Sequence, residues 1–187
     1  TRSYSKYPLF LAVRAECGDN IGFGIESTAK ASELTDTDSV REAYGAIATK
    51  LAAFGINMDL APVADIVSEQ GNSSLQGRTF GSDGATAAPL VNAAVQSLQE
   101  REVSAVLLTF PGEGAVTDGK VSKSLEEMKN SDFLTFQSAI QNGADCIMVS
   151  NVSAPEITGD DTPCSLSGTM ITDAVSYTHL RAHETRS

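Results

Sequence analysis

Between Leu107 and Lys120 the chain reads LLTFPGEGAVTDGK; two carboxylates, Glu113 and Asp118, stand five residues apart in it, and an amine, Lys120, follows. Carboxylates gathered by a loop are side chains that proton transfer uses. An unperturbed Lys titrates near 10.4 and holds its proton too tightly for that task at neutral pH. Against the chemical reading of Glu113 stands an ordinary solvated loop carboxylate. The three cysteines, Cys17, Cys146 and Cys164, lack metal-ligand spacing and have no His beside them, so buried free thiols are expected and no metal site. Neither a P-loop nor a dinucleotide fingerprint is present, which weakens a phosphate-binding βα reading; no cofactor is expected.

Such a loop needs elements to hold it. Four short, nearly continuous apolar runs, PLFLAV (Pro8 to Val13), INMDLAPVA (Ile56 to Ala64), VSAVLLTF (Val103 to Phe110) and DCIMVS (Asp145 to Ser150), have the pattern of strands buried on both faces of a parallel sheet. Helices alternate with them. After Ser39, which has capping-box spacing to Glu42, the residues Val40, Tyr44, Ile47, Leu51 and Phe54 share one helical face, and Gly55 ends the helix. A second helix is expected over about Ala85 to Glu100, with Pro89 delaying or kinking it. Ser124 and Glu127 repeat the capping box for a third, with Met128, Phe136 and Ile140 inward and Gly143 after its end.

Repeated βα units leave an open doubly wound sheet or a piece of a (β/α)8 barrel. In both, ligands bind at strand C-termini. There the chain carries RAECGDN, DIVSEQGNSSLQGRTFG, PGEGAVTDGK and NVSAPEITGDDTP, all long and polar, whereas the opposite connections at Phe54-Gly55 and Asn142-Gly143 are tight. Loops of that length usually build a site, so one functional face is expected.

At 187 residues, 41% hydrophobic and without Trp, the composition is that of an ordinary globular domain. No run is long enough to span a membrane. A net charge of −11 without a basic cluster opposes nucleic-acid binding. Residues 1–175 read as one domain. SYTHLRAHETRS, residues 176–187, holds both histidines, breaks the preceding pattern and reads as a non-native tail. The start at Thr1 reads as loss of a signal peptide or first element, which leaves compartment open between cytoplasmic and secreted.

Several stretches together, GINMDLAPVADI, GRTFGSD, FPGEGAVT, SLEEM, GADCIMVS and GDDTPCSLS, occur in the order and spacing of the N-terminal barrel domain of glycoside hydrolase family 3. The likeness is to its bacterial β-N-acetylhexosaminidase branch and covers about Pro8 to Val175. It implies a partial (β/α)8 barrel, about four βα units of eight. It also implies retaining hydrolysis of terminal N-acetylglucosamine glycosides, with carbohydrate as the partner. By the same resemblance the opening loop corresponds to Lys-His-Phe-Pro-Gly-His-Gly followed by a catalytic Asp-Ser-His. Leu108 and Thr109 stand at the sugar-binding Lys-His, Glu113 replaces the second His, and Asp118-Gly119-Lys120 replaces the triplet with one residue missing before it. Arg14 occupies the position of a substrate-binding Asp, Asn151 that of a His, and Arg78 matches a substrate-binding Arg. The family's nucleophilic Asp belongs to a later strand that this chain does not reach.

Each matched residue keeps a plainer alternative. Arg78 binds ligand or braces its loop through Asp83 or Asp65. Asp65 caps a loop or catalyses. Glu113 is a replacement acid or a solvated carboxylate. Asp160 and Asp161 satisfy loop amides or cap a helix near Ser165. Gly112 and Gly114 answer to a tight turn. Two functions stay open: a hydrolase, with neither catalytic role complete in this chain, and a degenerate barrel that binds carbohydrate or protein without turnover. Open sheet edges make self-association an expectation.

Overall fold

A computed structural model of the chain describes residues 6–7, 9–19 and 21–174. Along it run β1 (Ala12–Val13), α1 (Thr37–Ala53), β2 (Met58–Asp59), α2 (Gly84–Gln99), β3 (Ser104–Phe110), β4 (Val116–Thr117), β5 (Lys120–Val121), α3 (Leu125–Lys129), α4 (Phe133–Gln141), β6 (Cys146–Val149) and α5 (Pro155–Thr158). Pro8 and the tail assigned to 176–187 lie outside the described residues.

The main sheet has the order β1-β2-β3-β6, all parallel, with Ala12 opposite Met58, Met58 opposite Ser104 and Val106 opposite Cys146. Each strand lies beside the one before it, with no reversal of order. A doubly wound sheet reverses at its switch point; a barrel wall does not. The chain is therefore a segment of (β/α)8 wall, and the open-sheet alternative falls away. The first strand is shorter than its apolar run. Around it the Asn57 side chain replaces the ladder, accepting from Leu11 N at 2.7 Å and donating to Leu9 O at 3.1 Å.

Helices cover one face. α1 packs on α2 and α2 on α4. Val40, Tyr44, Ile47 and Leu51 of α1 are buried as their spacing requires. Two details differ from expectation. Asp36, rather than Ser39, caps α1, because its carboxylate accepts from both Asp38 N (3.0 Å) and Ser39 N (2.8 Å). Phe54 is 60% exposed: it follows the last buried turn and meets the ring of Phe23 instead of the core. α2, capped by Asp83, runs through Pro89. Downstream, the Ser124–Glu127 capping box forms as expected, but the chain breaks at Asn130–Asp132 into α3 and α4.

Side-chain alternation along β3 divides two apolar clusters. Ala105 and Leu107 join the large core beneath the helices. Val106 and Leu108 join Val63, Val67 and Leu75 on the opposite, concave face, with Met58, Leu60, Cys146 and Met148 partly buried beside them. Phe110 returns to the helix side, stacked at 5.0 Å on Phe133 and edge-on at 5.5 Å to Phe136. Strict alternation would not bring both Leu107 and Phe110 there. A register shift between them supplies the extra residue and turns Thr109 toward the β2 loop.

Candidate functional site

The four long loops leave the sheet at its C-terminal edge, and the tight connections lie at the other, as the spacing requires. The loop after β3 is fixed at its root by Asp65. That buried carboxylate accepts from Thr109 N and Thr109 Oγ1, both at 2.8 Å, and from Glu113 N at 2.5 Å. Burial pushes the Asp65 carboxyl up to about 6, against the pull of these three donors, and the nearby Glu113 charge adds to the rise. Of its two readings, the geometry matches the loop cap. Asn72 clamps the same turn, donating from Nδ2 to Glu113 O (3.1 Å) and from its backbone to Gly114 O (3.0 Å). A Cβ on Gly114 would lie 1.6 Å from Ile66 O, so close approach of two backbones, rather than a positive φ, demands glycine there.

Glu113 itself turns toward a cavity of about 440 Å³ lined also by Thr109, Gly119, Met148, Ser150 and Asn151. Its Oε1 accepts from Ser150 Oγ, which in turn accepts from Val152 N at 3.1 Å. Asn151 Oδ1 is engaged by Ser165 Oγ at 2.5 Å. Leu108 is 5% exposed in the concave apolar cluster, where it offers no polar group to a sugar.

The residues at the far end of the loop are arranged differently. β4 and β5 form an antiparallel hairpin whose two-residue turn is Asp118-Gly119, both at positive φ, 50° and 76°. Two-residue turns of the primed types need that conformation, and Asp-Gly is a preferred pair for it. Asp118 therefore sits exposed at a hairpin tip. Lys120 Nζ pairs with Asp161 Oδ1 at 2.7 Å. Asp160 meets a loop amide, Thr162 N, at 2.9 Å.

The third group was only half visible in the sequence. Arg78 braces a carboxylate, but the partner is Glu16, not Asp65 or Asp83: Nε and Nη2 reach its two oxygens at 2.7 and 2.8 Å. Arg14 Nε adds a bond of 2.7 Å to Glu16 Oε1. Burial raises the Glu16 carboxyl, but the bonds and charges of Arg78 and Arg14 outweigh it and hold the group below the usual carboxylate range. Glu16 escapes local reading because Arg78 lies 62 residues away. Beneath it Asp59 is fully buried; Oδ1 accepts from Ala15 N at 2.8 Å and Oδ2 has no partner, so burial pushes it up to about 7. All three cysteines are free, and among the described residues no His, Cys, Asp and Glu group could hold a metal.

The description "Glycosyl hydrolase family 3 N terminal domain" matches residues 1–177. The chain is 28% identical over 145 residues to the β-hexosaminidase LpqI of Mycobacterium tuberculosis, covering 73% of this chain and 37% of that protein. It is 30% identical over 145 residues to a β-hexosaminidase of Hydrogenovibrio crunogenus, covering 74% and 40%. Among solved structures, a family 3 β-N-acetylglucosaminidase from Paenibacillus sp. superposes with a TM-score of 0.83 at 26% identity, covering 94% of this chain and 35% of that one. The chain thus spans well under half the length of these relatives.

Proposed function

The chain belongs to glycosyl hydrolase family 3, and from that premise we propose that the whole protein hydrolyses terminal N-acetylglucosamine O-glycosidic bonds, with Glu113 as its proton donor. One observation carries the assignment: among the described residues Glu113 is the only carboxylate lining the cavity at the C-terminal ends of β3 and β6. Asp118 and Lys120, matched to the acid/base pair by position, are respectively at a hairpin turn and tied to Asp161. Ser150 orients the Glu113 carboxyl toward the bond to be broken, and Arg78, with Glu16, lines a separate cavity at the ends of β1 and β2. Residues 1–175 act as one half-barrel unit in this reading.

Retaining hydrolysis needs an attacking carboxylate besides the acid. The 187-residue chain alone is therefore expected to show no turnover. In the whole protein, Glu113→Gln should lower kcat on a chromogenic N-acetylglucosaminide by about 10²–10⁴, the usual worth of a general acid. Asp118→Asn should change it little. The reverse ranking sinks the assignment. A second reading, sugar binding without turnover, draws support from Leu108 and Thr109, which stand where the resemblance places a sugar-binding Lys-His. Binding by calorimetry with no hydrolysis in the whole protein would favour it.

A further inference from the structure

We propose that the Asp118-Gly119 turn is a site of spontaneous isoaspartate formation, a covalent modification that needs only water and reshapes one wall of the Glu113 cavity. It stands whether or not the protein turns over a sugar. In the step the Gly119 amide nitrogen attacks Cγ of the neutral Asp118 carboxyl. An N–Cγ bond forms, the Cγ–OH bond breaks, and the hydroxyl leaves with the amide proton as water. The product is a five-membered succinimide. Water then opens the ring at either carbonyl: cleavage at Cγ restores Asp118, whereas cleavage at the main-chain carbonyl leaves the chain running through Cβ and Cγ. One water leaves and one returns, so nothing is oxidised or reduced. Glycine suits the step because no Cβ shields its nitrogen.

Asp or Asn precedes glycine at Asp83-Gly84, Asp118-Gly119 and Asn142-Gly143, and the fold restrains these pairs differently. Asp83 is locked. Its Oδ1 caps α2, accepting from Thr86 N at 2.9 Å and from Thr86 Oγ1, and Gly84 is buried with no room for a Cβ against Ser131 O. At Asn142 the side-chain amide, which would leave as ammonia, donates to Ser138 O at 2.8 Å, and Gly143 N donates to Ile140 O at 3.0 Å. In the two-residue hairpin turn the flanking Thr117 and Lys120 take the ladder bonds. Asp118 and Gly119 are exposed, and among the described residues neither the Asp118 carboxylate nor the Gly119 N–H has a hydrogen-bond partner. Nucleophile and electrophile are both unheld there.

The effect reaches the cavity. Isomerisation adds one backbone atom to the turn, so Thr117 and Lys120 no longer face each other across it. Gly119 lines the cavity beside Glu113. Its carbonyl accepts from Ser153 N at 3.0 Å, and Val121 N donates to Ser153 O at 2.8 Å. Those two bonds join the hairpin to the loop after β6.

The test ages the 187-residue chain at body temperature and neutral pH, folded and in denaturant. Isoaspartate is read by electron-transfer fragmentation of tryptic peptides 79–101 and 102–120, which separate the two Asp-Gly pairs. In the folded chain it should form at Asp118 about tenfold faster than at Asp83, the worth of one cap hydrogen bond. In denaturant the two should react alike. Thr86→Ala, which takes a donor from the Asp83 carboxylate, should raise the rate at Asp83 alone. Asp118→Glu, whose ring would be one atom larger, should abolish the product in peptide 102–120. Hydrogen exchange at Val121 and Ser153 should quicken in the isomerised fraction. Equal rates at the two pairs in the folded chain overturn the proposal, as does an unreactive Asp118 in the folded chain that reacts in denaturant. Unchanged exchange at Val121 and Ser153 overturns the effect on the cavity wall.

Discussion

The loop after β3 has a root and a tip that obey different physics. From Phe110 to Gly114 it is packed on Phe133 and Phe136, clamped by Asp65 and Asn72, and pressed against Ile66 with no room for a Cβ. From Thr117 to Lys120 it is an exposed hairpin turn, anchored by buried Val121, whose Lys120 pairs with the exposed Asp161. The root stays fixed whatever chemistry the tip carries. Residue type at the root reports little about catalysis. Glu113 is the exception, because its backbone belongs to the root and its carboxylate to the cavity.

Mutations should separate these regions sharply. Gly114→Ala forces the Ile66 carbonyl aside and should lower stability by roughly 3–4 kcal/mol, read from denaturant midpoints. A loss under about 1 kcal/mol would mean that the two backbones are not in tight contact.

Acidity should act on the root and the buried carboxylates behind it. Asp59 and Asp65 are raised to about 7 and about 6 in the fold, against about 3.9 in the unfolded chain. Between those limits the native state holds more protons than the unfolded one, so stability falls as pH rises from about 4 to about 7 and then levels. The exposed caps Asp36, Asp83 and Glu127 are shifted down and act in the opposite sense, at the acid end below about 4.5. Asp59→Asn should flatten the neutral window and raise the melting temperature at pH 8, by an amount on the order of 2–4 kcal/mol in stability. An unchanged slope would remove Asp59 as its source.

Asp65→Ala, which leaves three donors of the root without an acceptor, should lower stability by about 2–3 kcal/mol. Smallest of all, Lys120→Ala should change it by no more than about 0.5 kcal/mol, since exposed ion pairs contribute little. If thermal melts ranked Lys120→Ala beside Asp65→Ala, the distinction between root and tip would collapse.

Much of this framework is legible in the sequence because it is local. Apolar runs mark the strands, Gly55 and Gly143 adopt the positive φ that follows a helix, and Ser124 and Glu127 close their capping box. The family follows from motifs spread over the whole chain. The site is harder. Arg78 finds Glu16 across 62 residues, and no period or spacing announces such a pair. Ser39 competes with Asp36 as a cap within one turn, and the carboxylate that reaches two amides wins. The Asp118-Gly119 turn carries its own hairpin signal, but likeness to a catalytic triplet points the same residues toward chemistry. Leu108 departs from its matched sugar-binding position in residue type, and only the face it occupies reveals what it does instead.

Strand order in the sheet equals strand order in the chain, and the outer helices repeat the pattern, α1 on α2 and α2 on α4. The molecule is in effect a linear array with coupling between nearest neighbours. A chain leaving the ribosome can dock each unit on the one just made without waiting for distant residues. α2 is gripped on both sides, by α1 and by α4, so pulling that one helix out of the array parts two interfaces.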